Sequence, residues 1–315
     1  MKYVKLGKTE IVVSQFVFGS LTMGTLQRNI AVEEGAQLIR QALERGVSFL
    51  DTAQAYGTYR HLRKALNGYG GQVVIASKSG KQDYDGMAEA VEEARRELNR
   101  DVIDVFLMHA VQREDDLAKR RLGAWQCLLE MKEKGLVKAV GLSTHNIEIV
   151  EKVTDWPEVD VIHPIFNKLN FGLINTENKD PTEVLRRAFE KEIGIYAMKP
   201  LAGGHLYQDA VSALSFAFNF PYLHAVAVGM VKPEELAVNL KIYYGEEVEG
   251  AELAAAADNK RMYVVPFCKG CGDCVSACDQ GAISMVAEKA SIEHSLCILC
   301  GYCRKECPHS MIRII

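Results

Sequence analysis

The fold of this chain is constrained most by a unit that occurs eight times, in which a short apolar run precedes a longer segment with helical spacing. The runs are rich in Val, Ile and Phe, as buried strands are. Strands that alternate with helices form a parallel sheet with right-handed crossovers. The predicted strands are Phe16–Phe18, Val47–Asp51, Val73–Lys78, Val105–Met108, Ala139–Ser143, Val161–Ile165, Ile195–Lys199 and Ala225–Gly229.

The segments between the strands each carry one apolar stripe. From Val32 to Leu43, for example, apolar residues recur at steps of four, three and four, which places them on one face of a helix. Two helices are expected to end at glycines, Gly46 and Gly135, because glycine adopts a positive φ at little cost. Gly194 follows the same pattern closely. These stripes are predicted to pack against the sheet.

Eight such units in about 260 residues fit a closed barrel better than an open doubly wound sheet, which usually has fewer strands. An open nucleotide-binding sheet would also carry G-x-G-x-x-G after its first strand, where this chain has GSLTMG. The segment Tyr3–Phe16 is predicted to form a hairpin around Gly7 that closes the barrel floor. We therefore predict an α/β fold, a (β/α)8 TIM barrel, for residues 1–260.

Composition excludes several classes of protein. The chain of 315 residues is 48% hydrophobic and 25% charged, which argues against disorder and coiled coil. Its net charge of -4 gives no general attraction to nucleic acid or anionic lipid. No apolar stretch approaches the roughly 20 residues that span a bilayer, and the first residues lack a signal peptide core. We expect a cytoplasmic protein with no nucleic-acid or membrane partner.

Cysteine usage changes abruptly along the chain. Only Cys127 lies within residues 1–260, and it is predicted to be a small buried hydrophobe without a function. Residues 261–315 hold the other eight, so we place a domain boundary near Arg261. A secreted disulfide module is the alternative, but a reducing compartment would keep such thiols reduced. Ligation of a metal or cluster explains the pattern better.

The eight cysteines form two C-x2-C-x2-C-x3-C runs, the second of which ends in Pro308. This is the spacing of bacterial ferredoxins. Zinc ribbons use separated C-x2-C pairs, so the third and fourth cysteines of each run favour 4Fe–4S clusters over zinc. The first run has Asp279 where the proline is usual. Strands Ala282–Met285 and Met311–Ile314 follow the runs, which predicts a small α+β ferredoxin-like domain with two 4Fe–4S clusters.

In two-cluster ferredoxins the fourth cysteine of each run binds the other cluster. By that resemblance, cluster one would use Cys268, Cys271, Cys274 and Cys307. Cluster two would use Cys297, Cys300, Cys303 and Cys278.

Four polar residues come at the carboxyl ends of predicted strands, where TIM barrels carry their chemistry. Asp51 ends the second strand and Tyr56 follows it, Lys78 ends the third, and His109 follows the fourth. A tyrosine gives up its proton near neutral pH only if its anion is stabilised, and a neighbouring ammonium stabilises it. This predicts Tyr56 as a general acid tuned by Lys78, with Asp51 as the anchor of Lys78 and His109 orienting a carbonyl.

Each of these residues has a simpler explanation when it is taken alone. Asp51 can cap the next helix, Tyr56 can be a half-buried aromatic, and His109 can be a satisfied core histidine. Lys78 is harder to explain, because lysine is almost never fully buried without a partner. The joint occurrence therefore favours a catalytic site.

The combination resembles the aldo/keto reductase family. The D-T-A-x-x-Y-G segment at Asp51–Gly57, the lysine in ASK and the histidine in LMH are similar to its catalytic Asp-Tyr-Lys-His tetrad. The resemblance begins at LGKTEIVVS near the N-terminus and runs through Lys199–Gly204 to Ala237–Leu240. It implies a (β/α)8 barrel in which NAD(P)H passes hydride to an aldehyde or ketone while the tyrosine protonates the oxygen.

The same resemblance implies cofactor-binding positions. Ser143 corresponds to the serine that binds the carboxamide, although Thr144 replaces the asparagine expected beside it. His163 stands where the family often has glutamine, and Met198 where an aromatic residue stacks on the nicotinamide. The loop at 200–204 resembles the pyrophosphate strap. Its residues Pro200, Leu201 and Gly203 are expected to bind the cofactor.

The segment VGMVKPEELAVN departs from the family pattern where the 2′-phosphate of NADPH would bind. Gly229 stands where a basic residue is expected, and Glu235 replaces an arginine. A glutamate repels phosphate, whereas Lys232 can compensate and Asn239 matches the asparagine that contacts adenine. The alternative is a solvated helix start, where acidic residues are favourable. Cofactor binding is therefore expected without a stated preference for NADPH.

These observations predict an NAD(P)-dependent oxidoreductase acting on a small-molecule carbonyl substrate, with an iron–sulfur module for electron transfer. Nicotinamide delivers two electrons as hydride, whereas each cluster accepts one, so the module is expected to serve a redox partner protein. Two alternatives stay open at this point. The protein can be an electron-transfer component whose barrel reduces no carbonyl, or a reductase whose clusters are structural.

Overall fold

The computed structural model describes residues 1–177, 179–258, 260–297 and 301–315. Eight parallel strands close into a barrel, which confirms the predicted α/β barrel. Their order around the barrel follows the chain, and the last strand pairs with the first. Each observed strand lies within two residues of its predicted bounds. The barrel strands are β3 (Phe16–Gly19), β4 (Phe49–Asp51), β5 (Val74–Ser79), β6 (Ile103–Met108), β7 (Val137–Thr144), β8 (Val161–Pro164), β9 (Gly194–Ala197) and β10 (Ala225–Gly229).

An antiparallel hairpin precedes the barrel, as the sequence predicts. It pairs β1 (Tyr3–Lys5) with β2 (Val12–Ser14). Leu6 in its turn is fully buried and belongs to the apolar cluster inside the barrel. Gly7 has a φ of +58°, and a Cβ there would lie 2.3 Å from the backbone nitrogen of Gly194. The hairpin therefore packs against the start of β9 through a contact that only glycine allows.

Nine helices of the described chain accompany the barrel. In α1 the apolar stripe that the sequence predicts is buried against the sheet, including Ala36, Ile39 and Leu43. None of the helices that the structure describes is both long and apolar enough to cross a membrane. The helices are α1 (Val32–Glu44), α2 (Tyr59–Leu66), α3 (Tyr84–Leu98), α4 (Leu122–Glu133), α5 (Ile147–Val153), α6 (Pro181–Glu190), α7 (Ala210–Phe218), α8 (Pro233–Tyr244) and α9 (Gly250–Ala257).

Glycine ends two of the three helices for which it was expected. Gly46 and Gly135 have φ values of +88° and +72°. At the third, Glu192 takes the positive φ of +57°, and Gly194 lies in β9. A Cβ on Gly194 would lie 2.7 Å from Cγ of Leu6. That glycine is needed for the close approach of the hairpin, and not for the end of the helix.

The C-terminal segment contains two small antiparallel sheets. One pairs β11 (Met262–Val264) with β14 (Ile312–Ile314), and the other pairs β12 (Ile283–Val286) with β13 (Lys289–Ile292). Two short helices complete it, α10 (Asp273–Ser276) and α11 (Tyr302–Lys305). We call residues 261–315 the C-terminal module; its division from the barrel at residue 261 stays a prediction.

The last strand of the C-terminal module lies against the barrel. Its residue Ile314 contacts the 3-10 turn Ala202–Gly204, which follows β9. Gly204 has a φ of +91°, and a Cβ on it would lie 2.4 Å from the carbonyl oxygen of Ile314. The two backbones are therefore packed directly against each other at the mouth of the barrel.

Candidate active site

A buried ion pair lies at the carboxyl ends of β4 and β5. Nζ of Lys78 donates a hydrogen bond to Oδ1 of Asp51 at 2.6 Å and another to the carbonyl oxygen of Thr52 at 2.8 Å. Both charged side chains are at most 5% exposed. Burial lowers the pKa of Lys78, and the Asp51 carboxylate opposes that shift. Asp51 thus compensates the buried ammonium, which is the contact that the sequence predicts for it.

Tyr56 lies directly beside this pair. It ends the 3-10 turn Gln54–Tyr56 that follows β4, and Gly57 leaves the turn with a φ of +69°. Nζ of Lys78 lies 4.9 Å from the centre of the Tyr56 ring. The imidazole of His109 meets the same ring edge-on, with the ring centres 5.6 Å apart. The structure therefore brings together all four residues of the predicted tetrad.

The pKa of Tyr56 is raised well above its usual value, first by burial and then by the Asp51 carboxylate. This net direction is opposite to the one expected from the sequence. Lys78 is already paired with Asp51, and the cation that lowers the pKa of Tyr56 is Arg313. Burial and the Lys78 charge hold the pKa of His109 well below its usual value. At neutral pH the site therefore contains a protonated phenol and a neutral imidazole.

Two aromatic side chains complete the surroundings of Asp51. The Tyr196 hydroxyl donates a hydrogen bond to Oδ1 of Asp51 at 3.0 Å. The His163 ring stacks on Tyr196 with the ring centres 3.9 Å apart, and its Nε2 lies 3.8 Å from the same oxygen. Burial lowers the pKa of His163 to about 4, so it is neutral. The sequence assigned His163 to the cofactor alone and missed Tyr196, whose position inside an apolar strand resembles that of a core residue.

A cavity of about 200 Å³ extends from this site across the barrel mouth. Asp51 and Tyr56 line one end of it, and Glu235 and Asn239 line the other. Seven of the nine residues expected to bind a dinucleotide are in its wall. They are His163, Met198, Pro200, Leu201, Gly203, Gly229 and Asn239.

The two other expected cofactor residues, Ser143 and Lys232, are not part of the described cavity wall. Oγ of Ser143 accepts a hydrogen bond from the backbone nitrogen of Ala110 at 2.9 Å. Nζ of Lys232 donates to the carbonyl oxygens of Ala255 at 2.6 Å and Asp258 at 2.9 Å. Lys232 therefore joins the start of α8 to the end of α9.

Glu235 is nearly buried and its charge is compensated. It forms an ion pair with Lys260, and its Oε2 accepts a hydrogen bond from the backbone nitrogen of Val231 at 2.7 Å. Both members of the pair line the cavity. Sequence reasoning found the glutamate but missed Lys260, because the two residues are distant in the chain.

Four cysteines that the sequence predicts as ligands of one cluster lie together in the C-terminal module. Cys268, Cys271, Cys274 and Cys307 line one small cavity. Burial raises the pKa of the Cys274 thiol, and the nearby Cys307, Cys268 and Cys271 add to that shift. These are the four residues expected to bind cluster one, including the crossover from the second run.

Part of the second predicted ligand set is also described. Cys278, Cys297 and Cys303 contribute to the core of the C-terminal module, whereas Cys300 lies outside the described residues. Nε and Nη1 of the buried Arg304 have no hydrogen-bond partner among the described residues. Burial lowers the pKa of Arg304, and the Cys303 thiolate opposes that shift. An anionic cluster beside Cys303 would supply such a partner, so the residues fit the group.

The geometry agrees with comparisons to known proteins. Residues 15–213 match the aldo/keto reductase family, and residues 267–311 match a 4Fe-4S dicluster domain. The first match covers more than half of the chain, and the chain belongs to the aldo/keto reductase family.

Individual relatives agree with this assignment. Methylglyoxal reductase DkgA of Escherichia coli K12 is 29% identical over 73% of this chain and 87% of its own. An uncharacterized oxidoreductase of Bacillus subtilis is 24% identical over 68% and 70%. The structure of a putative aldo-keto reductase from Pseudomonas aeruginosa is 26% identical and has a TM-score of 0.66, covering 77% of this chain and 94% of its own. The protein is therefore an oxidoreductase by family.

Proposed function

We propose that the chain reduces an aldehyde or a ketone with NAD(P)H and that Tyr56 protonates the carbonyl oxygen. The observation that carries the proposal is the meeting of Asp51, Tyr56, Lys78 and His109, of which Asp51 and Tyr56 line the mouth cavity. When it is bound, the nicotinamide supplies the hydride. Met198 and His163 would hold it near Tyr56, with Asn239 at the far end of the same cavity.

The residues around the carbonyl have distinct roles in this proposal. The raised pKa of Tyr56 keeps the phenol protonated, so a proton is available when hydride adds to carbon. The neutral imidazole of His109 orients the carbonyl oxygen by a hydrogen bond. Lys78, held by Asp51, lies at the Tyr56 ring, and Arg313 is the cation that favours the phenolate that forms.

Tyr56→Phe tests this function, because it removes the proton donor and leaves the ring. With methylglyoxal or a benzaldehyde as probe, we expect kcat/KM to fall by about 100-fold or more. Binding of NADH and NADPH, followed by fluorescence, and iron content should be unchanged. Tyr84→Phe is the matched control, since its hydroxyl lies away from the cavity and bonds Glu130. Equal activity of both variants would disprove the assignment of Tyr56.

For the C-terminal module we propose two 4Fe–4S clusters that exchange electrons with a partner protein. Cluster one would be held by Cys268, Cys271, Cys274 and Cys307, which line one cavity. Cys307→Ser should remove about half of the iron, because each cluster contains four of eight irons. Electron paramagnetic resonance of the reduced protein should then show one cluster. Zinc in place of iron in the purified parent would contradict the proposal.

The alternative functions predict different results in the same measurements. If the barrel reduces no carbonyl, the clusters will accept electrons while neither nicotinamide cofactor binds. If the clusters are structural, Cys307→Ser will lower the melting temperature, and the parent clusters will not be reduced by dithionite.

A further inference from the structure

The last strand of the C-terminal module presents its central side chain to the barrel. In β14, Ile312 and Ile314 are buried in the core of the C-terminal module, together with Met262 of β11. Side chains alternate between the two faces of a strand, so Arg313 points away from that core. Tyr263, its partner across the strand pair, shares this face. Strand alternation therefore places the Arg313 guanidinium on the side of β14 that faces the barrel.

This face of β14 completes the wall of the active-site cavity. The contact between Gly204 and Ile314 fixes the strand against the barrel mouth. Arg313 lines the same cavity as Tyr56 and Lys199. After burial, the charge of Arg313 contributes to the lowered pKa values of Lys199 and His145. The same charge opposes the rise that burial causes in the pKa of Tyr56.

Arg313 and Lys199 have no anionic partner among the described residues, and burial lowers the pKa of Lys199 well below its usual value. Arg313 makes no hydrogen bond or ion pair there, and burial lowers the pKa of its guanidinium. Nζ of Lys199 lies 3.1 Å from Nε2 of His145.

The carboxylates in the described wall are already engaged. Asp51 pairs with Lys78, and Glu235 pairs with Lys260. A half-buried guanidinium without a counter-ion is costly, and a bound anion removes that cost.

We propose that Arg313 and Lys199 form an anion subsite beside Tyr56 that binds the carboxylate of an oxo-acid substrate. The proposal rests on the proposed carbonyl reductase function and names its substrate class. A guanidinium binds a carboxylate through two parallel hydrogen bonds, which would fix the substrate in orientation as well as in position. The C-terminal module thereby supplies a substrate-binding residue that the barrel lacks.

The first test compares two aldehydes that differ in charge but hardly in shape, 3-formylbenzoate and 3-formylbenzamide. The parent should prefer the carboxylate, and Arg313→Gln should lower kcat/KM for it by about tenfold or more. The ratio of kcat/KM for the carboxylate to kcat/KM for the amide should fall by about tenfold, because the effect of Arg313 on the pKa of Tyr56 is common to both aldehydes, and the KM for the nicotinamide cofactor should stay within about twofold. Arg313→Lys should retain part of the preference, because it keeps the charge.

The control is Arg261→Gln, which removes an exposed arginine from the same module. It should leave both substrates unaffected. Iron content of each variant shows that the C-terminal module remains folded. If Arg313→Gln weakens both aldehydes equally and raises the dissociation constant of the cofactor, Arg313 binds the cofactor diphosphate, and the proposal is wrong.

A second test needs no turnover. Calorimetry should show that 3-(hydroxymethyl)benzoate binds the parent about tenfold more tightly than the corresponding amide, and that Arg313→Gln abolishes the difference. Reduction of the amide without any preference for the carboxylate would overturn the subsite and leave the reductase function intact. Selective binding through Arg313 without reduction of either aldehyde would support the anion subsite and contradict the reductase function.

Discussion

The Tyr196 hydroxyl and Oδ1 of Asp51 lie 3.0 Å apart, and the oxygen that accepts this bond is the one that Lys78 also binds. One carboxylate oxygen is therefore shared by a neutral donor and a charged one. The Tyr196 ring in turn packs against the ring of His163. This arrangement fixes the Asp51 carboxylate, and through it the ammonium that lies at the Tyr56 ring.

Tyr196→Phe should therefore weaken catalysis without abolishing it. The variant loses one buried hydrogen bond and leaves the ion pair, so we expect stability to fall by about 1 kcal/mol. Because Lys78 is then less firmly placed, kcat should fall by about threefold to tenfold. The control is Tyr59→Phe, which removes a buried bond to Ser77. If Tyr59→Phe lowers kcat as much, Tyr196 acts only through the fold.

Removal of one member of the buried ion pair should destabilise the protein more than replacement of both members. Asp51→Asn leaves the Lys78 ammonium buried without a counter-charge, which should destabilise the protein by about 3–5 kcal/mol. The double variant with Lys78→Met removes that charge and should recover most of the loss. Chemical unfolding of the three proteins measures the difference. A double variant less stable than Asp51→Asn would show that Lys78 needs no partner here.

Carbonyl reduction should depend little on pH from below about 6.5 to above about 10, the two limits that the ordinary histidine and tyrosine pKa values would set. Tyr56 must be protonated, so activity is present below its pKa, and that pKa is raised. His109 must be neutral, so activity is present above its pKa, which is lowered. The profile of kcat/KM with the uncharged 3-formylbenzamide tests both limits. An alkaline loss below about pH 9 would contradict the protonated phenol.

The kcat/KM for NADH should be at least as high as that for NADPH. At the far end of the cavity Glu235 is paired with Lys260, and the Lys232 ammonium is bound to backbone carbonyls. Glu235→Gln removes a negative charge and releases Lys260, so relative kcat/KM for NADPH should rise by about threefold to tenfold, or about 0.7–1.4 kcal/mol. Glu234→Gln, an exposed neighbour, is the control. A strong NADPH preference in the parent would contradict this interpretation.

Features that depend on local pattern could be predicted from the sequence. The repeated strands and helices predicted the barrel, and strand ends identified Asp51 and His109, because the carboxyl ends of parallel strands meet in one place. The pKa of Tyr56 could not be predicted, since its direction is decided by burial. Nor could the position of Arg313 in the cavity wall, because the packing of two distant segments brings it there.

The strand β14 connects the cysteines of the C-terminal module to the active-site cavity of the barrel. This strand follows Cys307 by a few residues and forms part of the chamber around Tyr56. If the proposed clusters hold β14 in place, loss of their iron and sulfide would distort the chamber without modifying any barrel residue. The proposed carbonyl turnover would then depend on the iron of the C-terminal module, although the proposed hydride chemistry itself uses no iron.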